Sequence, residues 1–209
     1  MADLSLVYWG TSIWIAYFNP RKDTKDARVT IAEKLMENIQ NGSQIVVVSD
    51  LVKMEIVTVI RQRIIESQEY QGDNDKIKDE IESVAKEETS KAMEFIRDLS
   101  VAHKAILFNL GIPTSELHEK TLDILQNCVF GEIKSMRKKC ICPNCGEVKS
   151  PPKYNINFPA HYDIQHALIA STPLTKKISV KKIYAFDRGF RQLADLKEFK
   201  GVIEIEIPA

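Results

Sequence analysis

Hydrophobic and polar positions along the chain switch between two periods, and the switches mark strands and helices. Leu4 to Tyr8 is a short apolar run, a strand candidate, and Ser12 to Phe18 reads as helix until Asn19-Pro20 stops it. Ala27, Ile31, Leu35 and Ile39 recur at helical spacing, and Asn41-Gly42 supplies the C-terminal cap. Ile45 to Val48 is a β-branched run of the kind buried on both faces of a parallel sheet. Ser49 or Asp50 caps the helix that follows, through about Glu66. After the polar break Gln71-Gly72-Asp73-Asn74, the positions Ile77, Ile81, Val84, Phe95, Leu99 and Ala102 predict one or two amphipathic helices, with the charge run between them as their solvated face. Gly111 to Thr114 is a loop, and Ser115 opens a helix with Leu117, Leu122 and Leu125 inward. The pattern is irregular from about 128 to 158. It resumes with a helix from Ala160 to Ser171, a strand from Ile183 to Phe186, a short helix from Gly189 to Leu196 and a final strand from Val202 to Ile207.

Strands alternating with helices predict an α/β fold, a three-layer α/β/α sandwich with a mainly parallel central sheet. The 209 residues then form one domain, 1–209, with 128–158 inserted as a small cysteine-rich segment. With 44% apolar and 28% charged residues the composition is that of an ordinary globule. The formal net charge is zero, which excludes a global field drawing the chain to nucleic acid, so any basic binding surface has to be local. No basic stretch precedes the first apolar run, and no apolar run approaches membrane-spanning length. The expectation is a soluble cytoplasmic protein with no membrane partner.

In open α/β sheets ligands bind outside the carboxyl ends of the strands. Gly10 follows the first strand, Asp50 and Glu55 follow the second, Asp187 ends the strand Tyr184-Ala185-Phe186, and Asp163 lies in the first turn of the preceding helix. Carboxylates gathered at one edge repel each other unless a cation sits among them, and hard cations such as Mg²⁺ or Mn²⁺ favour such oxygen ligands. Taken singly, each acid has a plainer reading: Asp50 as a cap, Glu55 as a solvent-facing helix acid, Asp163 as a complement to the helix dipole, Asp187 as a turn residue. Together at the strand ends they favour a metal site.

Four segments carry a resemblance to the PIN-domain nucleases. Val7-Tyr8-Trp9-Gly10-Thr11-Ser12 resembles that family's opening strand and its Asp-Thr/Ser turn. Ser49-Asp50-Leu51-Val52-Lys53-Met54-Glu55 resembles its second acidic element, Asp163-Ile164-Gln165-His166-Ala167 its third, and Tyr184-Ala185-Phe186-Asp187-Arg188-Gly189-Phe190 its fourth. The resemblance implies that Glu55, Asp163 and Asp187 are catalytic and hold Mg²⁺ or Mn²⁺, with Gly10, Thr11 and Ser12 supporting the site. It also implies a metal-dependent endoribonuclease acting on single-stranded RNA. Two positions depart from the pattern. Gly10 stands where the family's first aspartate belongs, and Ala185 stands where many members carry a hydroxyl residue. The first departure leaves a catalytically impaired RNA-binding or assembly module as the alternative. Protein partners of the kind implied are an antitoxin or an RNA-processing complex.

The four cysteines, Cys128, Cys140, Cys142 and Cys145, fall in one stretch, and Cys142-Pro143-Asn144-Cys145-Gly146 is a metal-binding knuckle. They predict one structural Zn²⁺, with His118 or His161 able to replace one thiolate. Cys128 is also readable as simple core, and an iron–sulfur cluster or an incidental disulfide stays open. The same stretch is locally basic, and Lys138, Lys139, Lys149 and Lys153 near Tyr154 and Phe158 suit RNA backbone contact and base stacking. A soluble loop surface is the plainer alternative. His161 and His166 flank the third acid and read as hydrogen-bonded structural residues.

Overall fold

A computed structural model describes residues 5–18, 26–67, 74–109, 112–127, 133–135, 154–156, 159–175 and 178–208. The four cysteines and Lys138, Lys139, Lys149 and Lys153 lie outside the described residues, and so does the proposed zinc knuckle.

The chain opens with β1 (Ser5–Trp9), α1 (Thr11–Phe18), α2 (Ala27–Gln40), β2 (Gln44–Ser49) and α3 (Asp50–Ser67). It continues with α4 (Asn74–Val101), β3 (Ala105–Phe108) and α5 (Thr114–Asn127). Two short strands, β4 (Ile133–Ser135) and β5 (Tyr154–Ile156), pair antiparallel within the segment read as irregular. Then come α6 (His161–Ser171), β6 (Lys182–Tyr184), α7 (Gly189–Leu193) and β7 (Glu204–Glu206).

The main sheet has five strands in the order β3-β2-β1-β6-β7, all parallel. Val7, Tyr8 and Trp9 of β1 and Val46, Val47 and Val48 of β2 are buried, as a central parallel strand covered on both faces requires. Successive strand side chains point to opposite faces. Trp9 packs against Trp14 of α1 with ring centroids 4.8 Å apart, while Tyr8 hydrogen-bonds His166 of α6. Helices therefore flank both faces. The strand order reverses direction at β1, whose two neighbours are β2 and β6. A crevice opens at such a switch point, outside the carboxyl ends of the strands. Among the described residues no helix is long and apolar enough to cross a membrane.

Two details differ from the sequence reading. The stretch from Asn74 to Val101 is one 28-residue helix, the first of the two alternatives, but the strand β3 follows it where no strand was expected. The helix ends in a Schellman turn: Lys104 N–H donates to Leu99 O at 2.8 Å and His103 N–H to Ser100 O at 3.0 Å. His103 takes the left-handed conformation, φ 57°, usually given to glycine. Without a glycine to mark the stop, nothing local sets Ala105-Ile106-Leu107-Phe108 off from the helix before it. In α5, Leu117 and Ile124 are buried, but Leu122 is 56% exposed and Thr121 takes the inward place. Thr121 is tolerated there because its hydroxyl donates to Leu117 O at 2.6 Å.

Candidate functional site

Each predicted acid is delivered by a separate element. Trp9 ends β1, and the Gly10 N–H donates to Tyr184 O at 2.8 Å, tying the end of β1 to β6. A Cβ built on Gly10 would stand 3.2 Å from the Ala185 Cβ and 3.5 Å from Tyr184 O, so these two strand ends approach closely. The backbone then enters α1 with Thr11 and Ser12. The Thr11 hydroxyl donates to Glu55 Oε2, reaching from α1 to the second turn of α3. Ser12 faces a different partner. Its Oγ accepts the Phe186 N–H at 3.0 Å, fixing the loop that carries Asp187. Asp163 lies in the first turn of α6, where its Oδ2 accepts the Ala160 N–H at 2.9 Å. That is the carboxylate half of a capping box.

Glu55, Asp163 and Asp187 line one cavity of about 570 Å³, together with Thr11 and Ser12. Ile15, Leu51, Val59 and Phe190 supply apolar wall, and Thr58 and His166 also line it. Met54 and Tyr162 also line it and are about half exposed. Arg63 closes one side two turns along α3 from Glu55. Asp50 does not line the cavity, and its carboxylate instead pairs with Lys53 at 2.5 Å.

The electrostatics of the two inner carboxylates diverge. Burial raises the Asp163 carboxyl, and the nearby Asp187 charge adds to it, so that despite the Ala160 hydrogen bond it is pushed up to about 6. Burial also works against ionised Glu55, yet hydrogen bonds from His166 and Thr11 outweigh it and hold its carboxyl below the usual range. Both of those contacts converge on one oxygen, Oε2, with His166 Nε2 at 2.8 Å. Behind them lies a buried chain: His166 Nδ1 is 2.7 Å from the Tyr8 hydroxyl, which is 2.8 Å from Ser49 Oγ. Burial pushes the Tyr8 phenol well above its ordinary range, so it keeps its proton.

A cation among these acids would relieve the field that raises Asp163. Among the described residues, however, no three His, Cys, Asp or Glu side chains are grouped closely enough to enclose an ion as they stand. The donor set is compatible with Mg²⁺, which keeps several waters and needs only one or two protein carboxylates.

Sequence reasoning therefore placed Glu55, Asp163, Asp187, Thr11 and Ser12 around one cavity. It did not find Arg63, Met54, Tyr162 or the Ser49–Tyr8–His166 chain. The spacing Leu51, Met54, Glu55, Thr58, Val59, Arg63 is a single helical stripe and was a usable signal for the first two. The chain behind Glu55 joins residues 41 and 158 positions apart, which no local pattern reveals. Comparison with protein-family models and with curated proteins returned no match for this chain.

Proposed function

We propose that the protein is a metal-dependent endoribonuclease of the PIN type, acting on single-stranded RNA. One observation carries this reading. Three acids from two helices and a loop, Glu55 of α3, Asp163 of α6 and Asp187 after β6, line one cavity outside the carboxyl ends of β1, β2 and β6, where the strand order reverses. Glu55, Asp163 and Asp187 would hold Mg²⁺ or Mn²⁺, which when bound supplies a water of lowered pKa and polarises a phosphodiester.

The chain's own residues do the rest. Thr11 and His166 keep Glu55 ionised and oriented. Asp163, whose raised proton affinity reflects the cost of its buried charge, is the acid that a cation would stabilise most. Ile15, Leu51, Val59 and Phe190 give the open cleft an apolar flank beside the acids. Half-exposed Tyr162 and Met54 offer faces on which an unpaired base can stack, which favours single strands. Arg63 lies eight residues along α3 from Glu55, about 12 Å of helix rise, and meets a flanking phosphate. Four thiolates at Cys128, Cys140, Cys142 and Cys145 would bind Zn²⁺, and Lys138, Lys139, Lys149 and Lys153 would extend the grip on RNA.

The test is Mn²⁺-dependent cleavage of a panel of single-stranded RNAs. Cutting is expected to vanish with chelator and in Asp163→Asn/Asp187→Asn. Cutting that persists in that double variant would refute the assignment. Gly10 favours a second reading, a module that binds RNA without cutting it. RNA retained in a gel shift by a protein that cuts nothing on the panel would select that reading.

A further inference from the structure

We propose that His166 is a positioning residue. The buried chain Ser49–Tyr8–His166 fixes its ring as the tautomer protonated on Nε2, committing Glu55 Oε2 to the protein and leaving Oε1 as the oxygen offered to the cavity. The part of this inference that concerns a cation rests on the metal reading above; the tautomer does not.

The direction of every hydrogen follows from the two ends of the chain. At one end the Val52 N–H, which can only donate, gives its hydrogen to Ser49 Oγ at 3.3 Å. At the other end Glu55 Oε2 already accepts the Thr11 hydroxyl, and as a carboxylate oxygen it accepts from His166 as well. Between them are three groups in series: Ser49, Tyr8 and His166. Ser49 is fully buried, and its one hydroxyl hydrogen has the Tyr8 oxygen as its acceptor among the described residues. Tyr8 is fully buried too, so its hydrogen is left for His166 Nδ1. Nδ1 is then an acceptor, the ring hydrogen sits on Nε2, and it is donated to Glu55. Each hydrogen in the series has one acceptor, and all point the same way.

Other arrangements leave a group unsatisfied. A hydrogen on Nδ1 must be donated to the Tyr8 oxygen, which turns the Tyr8 hydrogen toward Ser49 Oγ. The Ser49 hydrogen then has no acceptor among the described residues, in a place water does not reach. A ring with its only hydrogen on Nδ1 also presents a bare Nε2 to the Glu55 carboxylate, two acceptors face to face at 2.8 Å. The arrangement matters to the cavity because His166 lines it but is only 3% exposed, and its Nε2 is engaged by Glu55. Its influence passes through Glu55. Groups that orient a ligand carboxylate in this way affect metal affinity by roughly 10–100-fold when removed.

The experiment uses the full chain with ¹⁵N-labelled histidine at pH 7.5. Long-range ¹H–¹⁵N spectra in chelator report which His166 nitrogen carries the hydrogen, and Mn²⁺ titration reports affinity. The expected result is Nε2 protonated and Nδ1 bare in the parent protein, with the Nδ1 resonance shifted in Tyr8→Phe, which removes the hydroxyl hydrogen that Nδ1 accepts. Tyr8 does not line the cavity, so a roughly tenfold or larger loss of Mn²⁺ affinity in Tyr8→Phe that accompanies the Nδ1 shift is the signature of a path through His166. His166→Gln, whose amide can still donate to Glu55, should recover part of the affinity that His166→Ala loses. A parent spectrum with the hydrogen on Nδ1, or on both nitrogens, overturns the proposal whether or not any variant folds. The same holds if Tyr8→Phe folds and leaves both spectrum and affinity unchanged. If the spectrum is as expected but Glu55→Gln binds Mn²⁺ as the parent does, the relay stands and the metal reading falls.

Discussion

Replacing Asp163 by asparagine should make the metal-free protein more stable at neutral pH while removing its affinity for Mn²⁺. The Asp163 carboxyl is pushed from 3.8 up to about 6 in the folded protein, chiefly by burial. A folded-state pKa above the unfolded one means that the native state binds the proton more tightly. Folding therefore carries no penalty from this group below about pH 4, loses stability as pH rises through about 6, and carries the full penalty above that. A gap of about two pKa units corresponds to about 3 kcal/mol. Water in the open cleft screens part of this, leaving about 2 kcal/mol. Asparagine keeps an oxygen to accept the Ala160 N–H and never ionises, so the variant should recover that amount. For a chain of this size that is about 4–8 °C in Tm. Glu55 pulls the other way, since its lowered pKa adds stability that is lost as pH falls below 4.5, but it does so equally in both proteins. The assay is thermal unfolding of both proteins in chelator at pH 7.5 and pH 4, then at pH 7.5 with Mn²⁺. Mn²⁺ should raise the Tm of the parent and leave the variant unchanged. An equal Tm for the two proteins at pH 7.5, or the same gain at pH 4, would refute the reasoning.

Three further outcomes follow from the same geometry. Gly10→Asp should raise Mn²⁺ affinity and RNA cleavage. Because its Cβ meets the Ala185 Cβ at 3.2 Å, Gly10→Asp/Ala185→Gly should cut faster than Gly10→Asp alone; the two cleavage rates compared side by side decide it. Gly189→Ala places a methyl group against Asp163 Oδ2 and 3.0 Å from the Pro159 Cα, where backbone has to yield. Denaturant unfolding should show a loss of about 1–3 kcal/mol, although alanine is ordinarily favoured over glycine in a helix, and Mn²⁺ affinity should fall with it. Elemental analysis of protein purified under reducing conditions should find one zinc per chain. Chelation should increase hydrogen exchange in 128–158 and spare the main sheet.

Local patterning was enough for the α/β class, the two central strands and the helices that carry the acids. The reason is that burial on both faces of a parallel sheet forces an unbroken apolar run such as Ile45 to Val48, and an amphipathic helix forces a 3.6-residue period; both are local constraints. The same locality hid β3, whose four apolar residues follow a helix that stops at His103 without a glycine. It also misjudged Leu122, because an apolar residue on a helix does not say which neighbour will cover it. That five strands run parallel in the order β3-β2-β1-β6-β7 was decided by tertiary pairing. So was everything that follows from β1 lying between β2 and β6. Only that pairing brings the Gly10 turn, Glu55 and Asp187 to one edge and sets α6 beside them, so that Asp163 shares their cavity. Ser12 illustrates the limit most directly. In sequence it is a hydroxyl next to Thr11, yet its partner is the Phe186 N–H, 174 positions away, and Thr11 alone turns to Glu55. Hydrogen-bond direction across packed elements depends on which groups are buried together, and the chain acquires that information only when it folds.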